Sequence, residues 1–200
     1  MGFEGGEAAI MLNLVFLPAT DPQDTTYGTI PKQIIGHKNV AVHRVYFPNL
    51  VWYNEAVRTQ AIEQIDSLRI DFPVLVGFSK SGLGAFNIAR MISDQVAGAI
   101  IFDAPVARMK SVWNTAEFYP NDESWLADIP VLHLSDIKNV FKAAQPLILI
   151  SGMGFHNEMV ELSRLLHENS VNHTFLPHPD MKHHWNSGWI EEAVDILLKK

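Results

Sequence analysis

A serine on a strand-to-helix turn constrains this chain more than any other feature. Phe72-Pro73-Val74-Leu75-Val76 is an apolar run that reads as a buried strand, Gly77-Phe78-Ser79-Lys80-Ser81-Gly82 follows as a turn, and Leu83 to Ile92 reads as a helix. A tight turn of this kind forces the serine into a strained backbone conformation and presents its hydroxyl outward, so the residues two before and two after it must be small. Gly77 meets the first requirement, whereas Ser81, with Gly82 behind it, stands where glycine is usual. The plainer reading is a glycine-rich turn that only lets a helix pack close to a sheet. The order strand, turn, helix favours a nucleophile instead.

The rest of the chain repeats that alternation. Strand candidates are Ala9–Leu17, Val40–Phe47, Val74–Gly77, Ala97–Phe102, Leu147–Ile150 and His173–Leu176, and helix candidates are Tyr53–Leu68, Gly82–Ser93, His156–Glu168 and Ser187–Leu198. Apolar strands alternating with helices define an α/β protein with a mostly parallel sheet flanked by helices. Two hundred residues, 48% of them hydrophobic and 18% charged, fit one globular domain spanning 1–200. The stretch 106–145 breaks the rhythm. It holds Trp113, Phe118, Tyr119 and Trp125 and reads either as a short cap insertion over the site or as a long connection packed on the sheet.

Composition narrows the function classes. A net charge of −7 argues against nucleic-acid and anionic-membrane partners. With no cysteine, no disulfide, thiolate metal site or cysteine nucleophile is possible. Met1 to Glu7 lack the basic and apolar regions of a signal peptide, and no apolar run reaches the length of a membrane span. The expectation is a cytoplasmic protein. Five histidines lie between His167 and His184, but they are spread over a helix, a strand and a loop, so no metal site is expected.

A serine nucleophile needs a base, and the base needs an orienting group. The loop after the last strand candidate, Pro177 to Asn186, holds His178, His183 and His184. His178 lies directly after the strand and is too early. The segment His183-His184-Trp185-Asn186-Ser187-Gly188-Trp189 resembles the histidine motif of a group of serine esterases in the α/β-hydrolase superfamily, in which it accompanies a Gly-Phe-Ser-Lys-Ser-Gly elbow. Phe102-Asp103-Ala104-Pro105 is similar to the same group, and the resemblance runs from about Phe72 to the C-terminus. It implies the α/β-hydrolase fold, a serine hydrolase acting on a carboxylic ester or related acyl substrate, no cofactor, Ser79 as nucleophile and His183 as base, with His184 the alternative. The alternative function is a catalytically silent α/β-hydrolase-fold binding protein.

The acid is less defined. In this fold it usually follows the penultimate strand, where Ser151-Gly152-Met153-Gly154-Phe155-His156-Asn157-Glu158 offers only Glu158. Glu158 is therefore the first candidate, and Asp103, one strand nearer the nucleophile, is the second. An oxyanion hole requires two backbone donors. Lys80, the residue after the nucleophile, supplies one, and Thr20 or Ala19, after the first strand, supplies the other, since Pro18 has no N–H. The Lys80 side chain itself is expected to face solvent.

Overall fold

In a computed structural model of the protein, residues 11–19, 29–111, 115–141 and 145–199 are described. Strands β1 (Leu12–Phe16), β2 (Val40–Arg44), β3 (Val74–Phe78), β4 (Gly98–Phe102), β5 (Leu147–Ile150) and β6 (Thr174–Leu176) form one sheet in the order β2-β1-β3-β4-β5-β6. Every pairing is parallel. All six strand candidates are present, with ends shifted by up to three residues where the described chain allows comparison; β3 alone is longer, by Phe78. β2 stops at Arg44, although Val45 still donates its N–H to the Phe16 carbonyl at 3.1 Å.

The helices are α1 (Glu55–Ser67), α2 (Lys80–Met91), α3 (Asp122–Leu126), α4 (Leu134–Val140), α5 (His156–Glu168) and α6 (Trp189–Leu198). Successive strand residues point to opposite faces, and both faces are covered. Val15, Leu75, Ile101 and Leu149 pack with Ala61 of α1, Phe86 of α2 and Leu162 of α5. Leu14, Val76, Ile100 and Ile148 pack on the other face with Trp189, Ile190 and Ala193 of α6. This explains why the strands read as near-continuous apolar runs. Among the described residues, no helix is long and apolar enough to cross a membrane.

The described part of 106–145 lies against the α1 and α2 side. Trp125, Tyr119 and Ile129 pack with Trp52 and Leu83, while Ile137 and Phe141 join the sheet core beside Phe86. A buried ion pair fastens it: Arg58 Nη1 of α1 lies 2.5 Å from Asp128 Oδ2, which also accepts the Tyr119 hydroxyl at 2.8 Å. Asn87 of α2 donates to the Asp128 carbonyl at 2.9 Å.

Sheet register then sets the stage for the site. Phe78 pairs with Phe102, and Phe102 with Ile150, so β3, β4 and β5 end level with one another. The ladder runs one residue further: Ser79 N–H donates to Phe102 O at 3.0 Å, Asp103 N–H to Ile150 O at 2.8 Å, and Ser151 N–H to Leu176 O at 3.1 Å. Ser79, Asp103 and Ser151 therefore stand side by side at the C-terminal edge, where open α/β sheets carry their sites.

Candidate active site

Ser79 adopts φ 53° and ψ −122°, a left-handed conformation that non-glycine residues seldom take. Its neighbours explain how the turn closes. A Cβ on Gly77 would lie 2.1 Å from the Ser81 carbonyl oxygen, so only glycine fits there. Ser81 is fully buried, and its hydroxyl both donates to the Phe78 carbonyl and accepts the Phe78 N–H, each at 2.9 Å. Serine in place of the usual glycine therefore staples the turn together. Lys80 opens α2, and the first N–H groups of a helix have no intrahelical acceptor.

His183 lies in the loop between β6 and α6, and its ring packs on Phe78, the residue before Ser79, with centroids 4.5 Å apart. Its Nδ1 is 2.6 Å from Asp103 Oδ2. The expected hydrogen bond from His183 to Glu158 is not formed. Glu158 sits in the first turn of α5 and accepts from Arg108, whose Nε is 2.8 Å and Nη2 2.6 Å from Oε1. The carboxylate that meets the histidine is Asp103, the second candidate.

Asp103 is held with unusual thoroughness. It is fully buried and has φ 42°, again left-handed. Gly154 N–H donates to its Oδ2 at 2.9 Å and Phe155 N–H to its Oδ1 at 2.8 Å. Burial pushes its carboxyl pKa up, but the hydrogen bonds from His183 and from the backbone of Phe155 and Gly152, with the nearby imidazole charge, outweigh burial and hold it below the ordinary value. The loop after β5 comes this close because glycines stand at 152 and 154. A Cβ on Gly154 would lie 2.4 Å from His183 Nδ1, and one on Gly152 would lie 2.6 Å from Asp103 Oδ2.

The other sequence candidates fall elsewhere. His184 Nδ1 accepts the Asn186 N–H at 3.0 Å, which caps its own turn. His178 pairs with Glu192 at 2.8 Å. Ala19 is buried, three residues beyond the end of β1, while Thr20 lies outside the described residues. The Lys80 side chain does not simply face solvent: it is half-buried, with Nζ 5.6 Å from the centroid of the Trp52 ring. Phe155 and Arg108 went unnoticed in the sequence. The Phe155 ring meets His183 edge-on at 5.4 Å, and the Arg108 guanidinium lies 5.1 Å from the Phe155 centroid. The one available signal was the paired glycines flanking Met153, which mark a loop that other groups approach closely.

No family model and no curated protein matches the chain. Solved structures do. MPT51 of Mycobacterium tuberculosis matches with a TM-score of 0.68 at 14% identity, covering 96% of this chain and 91% of that one. Fluorophosphonate-binding serine hydrolase F of Staphylococcus aureus matches with a TM-score of 0.65 at 14% identity, covering 98% and 87%. The S-formylglutathione hydrolase of Staphylococcus aureus matches with a TM-score of 0.62 at 19% identity, covering 96% and 82%. The chain has the α/β-hydrolase fold, with a six-stranded parallel sheet flanked by helices.

Proposed function

We propose that this protein is a serine hydrolase acting on a carboxylic ester or related small acyl substrate through an acyl-enzyme intermediate. The observation that carries the reading is the Asp103–His183 hydrogen bond, 2.6 Å long, lying against the strained turn that presents Ser79. Asp103 takes the N–H of His183 Nδ1, which leaves Nε2 as the free base nitrogen. Nε2 removes the Ser79 proton as Oγ attacks the acyl carbonyl, and returns it to the leaving group as the tetrahedral intermediate collapses. Water then repeats the sequence on the acyl-enzyme. The oxyanion donors in this reading are the Lys80 N–H and the backbone N–H of Ala19 or Thr20. No cofactor has a part in this chemistry.

Support also comes from structural neighbours at low identity, which include serine hydrolases and esterases. We further infer a single domain in which 106–145 borders the site as a short cap, since Trp125 Nε1 donates to the carbonyl of Arg108 at 2.8 Å and Arg108 in turn reaches Phe155.

The test is labelling by a fluorophosphonate probe, followed by turnover of 4-nitrophenyl esters of increasing acyl length. Ser79→Ala abolishes both, with a loss on the order of 10⁴-fold or more. Ser81→Ala loses a buried hydrogen bond and with it about 1–3 kcal/mol of stability, yet still labels. Labelling that survives Ser79→Ala and vanishes with Ser81→Ala would show that the register of the turn is misassigned. A folded wild-type protein that neither labels nor turns over any ester leaves the binding-protein reading.

A further inference from the structure

Two cations, Arg108 and Lys80, each lie over an aromatic face, of Phe155 and Trp52 respectively. Arg108 is spoken for, since its charge is matched by Glu158 at 2.6 Å. Lys80 is not: among the described residues, no carboxylate lies within ion-pair distance of its ammonium. Its one charge-compensating contact there is the Trp52 ring. Trp52 is itself buried and fixed edge-to-face on Trp125 at 5.6 Å, so the lysine rests on a rigid wall.

A half-buried ammonium without a counter-ion is costly, and burial pulls the Lys80 pKa below its ordinary value. Cation–π contact offsets part of that cost. An arriving anion offsets more, because the partly dried environment strengthens its attraction to the ammonium. Lys80 directly follows Ser79 in the chain and is the first residue of α2, the helix that Ser79 begins. In a protein of net charge −7, a half-buried lysine one residue after the proposed nucleophile, with no carboxylate partner among the described residues, is not an average surface feature.

We propose that Lys80 is a specificity-determining residue that selects esters carrying a carboxylate on the acyl or the leaving group. The inference rests on the serine-hydrolase reading for its chemistry, but not for its ligand class. The ammonium pairs with the substrate carboxylate while Ser79 attacks the ester carbonyl, and no further bond is made or broken.

Matched esters test it. Mono-4-nitrophenyl glutarate and 4-nitrophenyl valerate differ by the carboxylate at the acyl end. 4-Acetoxybenzoate and phenyl acetate differ by one on the leaving group. In the wild type, kcat/KM favours the anionic member of at least one pair by about tenfold or more, as expected for one partly buried charged contact. The preference shrinks between 0.05 and 1 M salt by screening. Lys80→Met, which keeps a long apolar stem over Trp52, abolishes the preference, and Lys80→Arg restores it. The ratio within a pair is the readout, because Lys80 also supplies a backbone donor. Titration calorimetry of the same esters with Ser79→Ala gives a second arm that needs no turnover. Tighter binding of the anionic ester upholds the ligand class even if the wild type hydrolyses nothing, an outcome that sinks the proposed function alone. Equal kcat/KM within both pairs, or an unchanged ratio in Lys80→Met, overturns the proposal. So does equal or absent binding of the anionic and neutral esters.

Discussion

Asp103 and Asp128 are both buried carboxylates that meet a basic side chain, but they sit in opposite settings. Asp128 is sealed: its partner Arg58 is as buried as it is, Tyr119 takes a further lone pair, and the backbone around it belongs to a packed connection. Asp103 stands on a left-handed residue at a sheet edge, is held by the N–H groups of Gly154 and Phe155, and faces a histidine that is 30% exposed. One arrangement fastens elements together. The other holds a titratable ring at an open edge and is paid for with backbone strain. Burial and pairing alone do not distinguish Asp128 from Asp103, the proposed acid. The exposure of the partner and the left-handed backbone of the host residue separate these two.

The largest effect expected is on Asp103. Asp103→Asn replaces one acceptor oxygen by a donor, which misplaces the His183 proton and lowers kcat/KM by about 10³–10⁴-fold. Stability carries a sign that can be checked. The Asp103 pKa is depressed in the folded state, so its stabilising contribution is fully present above the unfolded value of about 3.9 and is lost as pH falls through the lower folded value. The difference in Tm between wild type and Asp103→Asn therefore narrows as pH drops below about 4, and a gap that widens there contradicts the hydrogen-bonded carboxylate.

Asp128→Ala acts on stability instead. It leaves Arg58 buried without its counter-ion and frees the Tyr119 hydroxyl, at a cost of about 3–5 kcal/mol by denaturant unfolding. Below the melting transition, probe labelling of Ser79 persists. Labelling lost from a folded Asp128→Ala protein erases the contrast between the two aspartates.

These contrasts show what a sequence can disclose about such a site. The elbow was legible because its determinants are local: a glycine that cannot bear a Cβ, a serine, and an apolar strand beforehand. His183 was legible from its motif, and its separation from His184 follows from the loop, which turns one ring onto Phe78 and Asp103 and the other back onto Asn186. The carboxylate was not legible. Asp103 and Glu158 both follow strands at the correct edge, and the choice depends on the path of residues 151–155. That loop brings backbone N–H groups to Asp103, while α5 carries Glu158 off to Arg108. Arg108 lies 50 residues away in the chain, and no local pattern announces that pairing.

Gly154→Ala probes that loop directly. Its Cβ would stand 2.4 Å from His183 Nδ1 and 2.9 Å from Asp103 Oδ2, so one of the two must move. Displacement of the base by about 1 Å is worth on the order of a hundredfold in kcat, with KM little changed. A rise in KM at constant kcat points instead to a loop that touches substrate.

The smallest effect belongs to Glu158→Gln, and it is the sharpest comparison because Glu158 was the sequence's first choice for the acid. Arg108 is 42% exposed and Glu158 16%, so their ion pair is partly solvated and its net contribution is modest. Glutamine keeps an oxygen for the two Arg108 donors. Its amide nitrogen takes the place of Oε2, which has no hydrogen-bond partner. Phe155, whose N–H holds Asp103 and whose ring flanks His183, begins the same turn of α5 and stays in position. The expected change in kcat/KM is below about threefold, against three to four orders of magnitude for Asp103→Asn. A loss of a hundredfold or more in Glu158→Gln, with an unaltered Tm, returns the role of acid to Glu158 and removes it from Asp103.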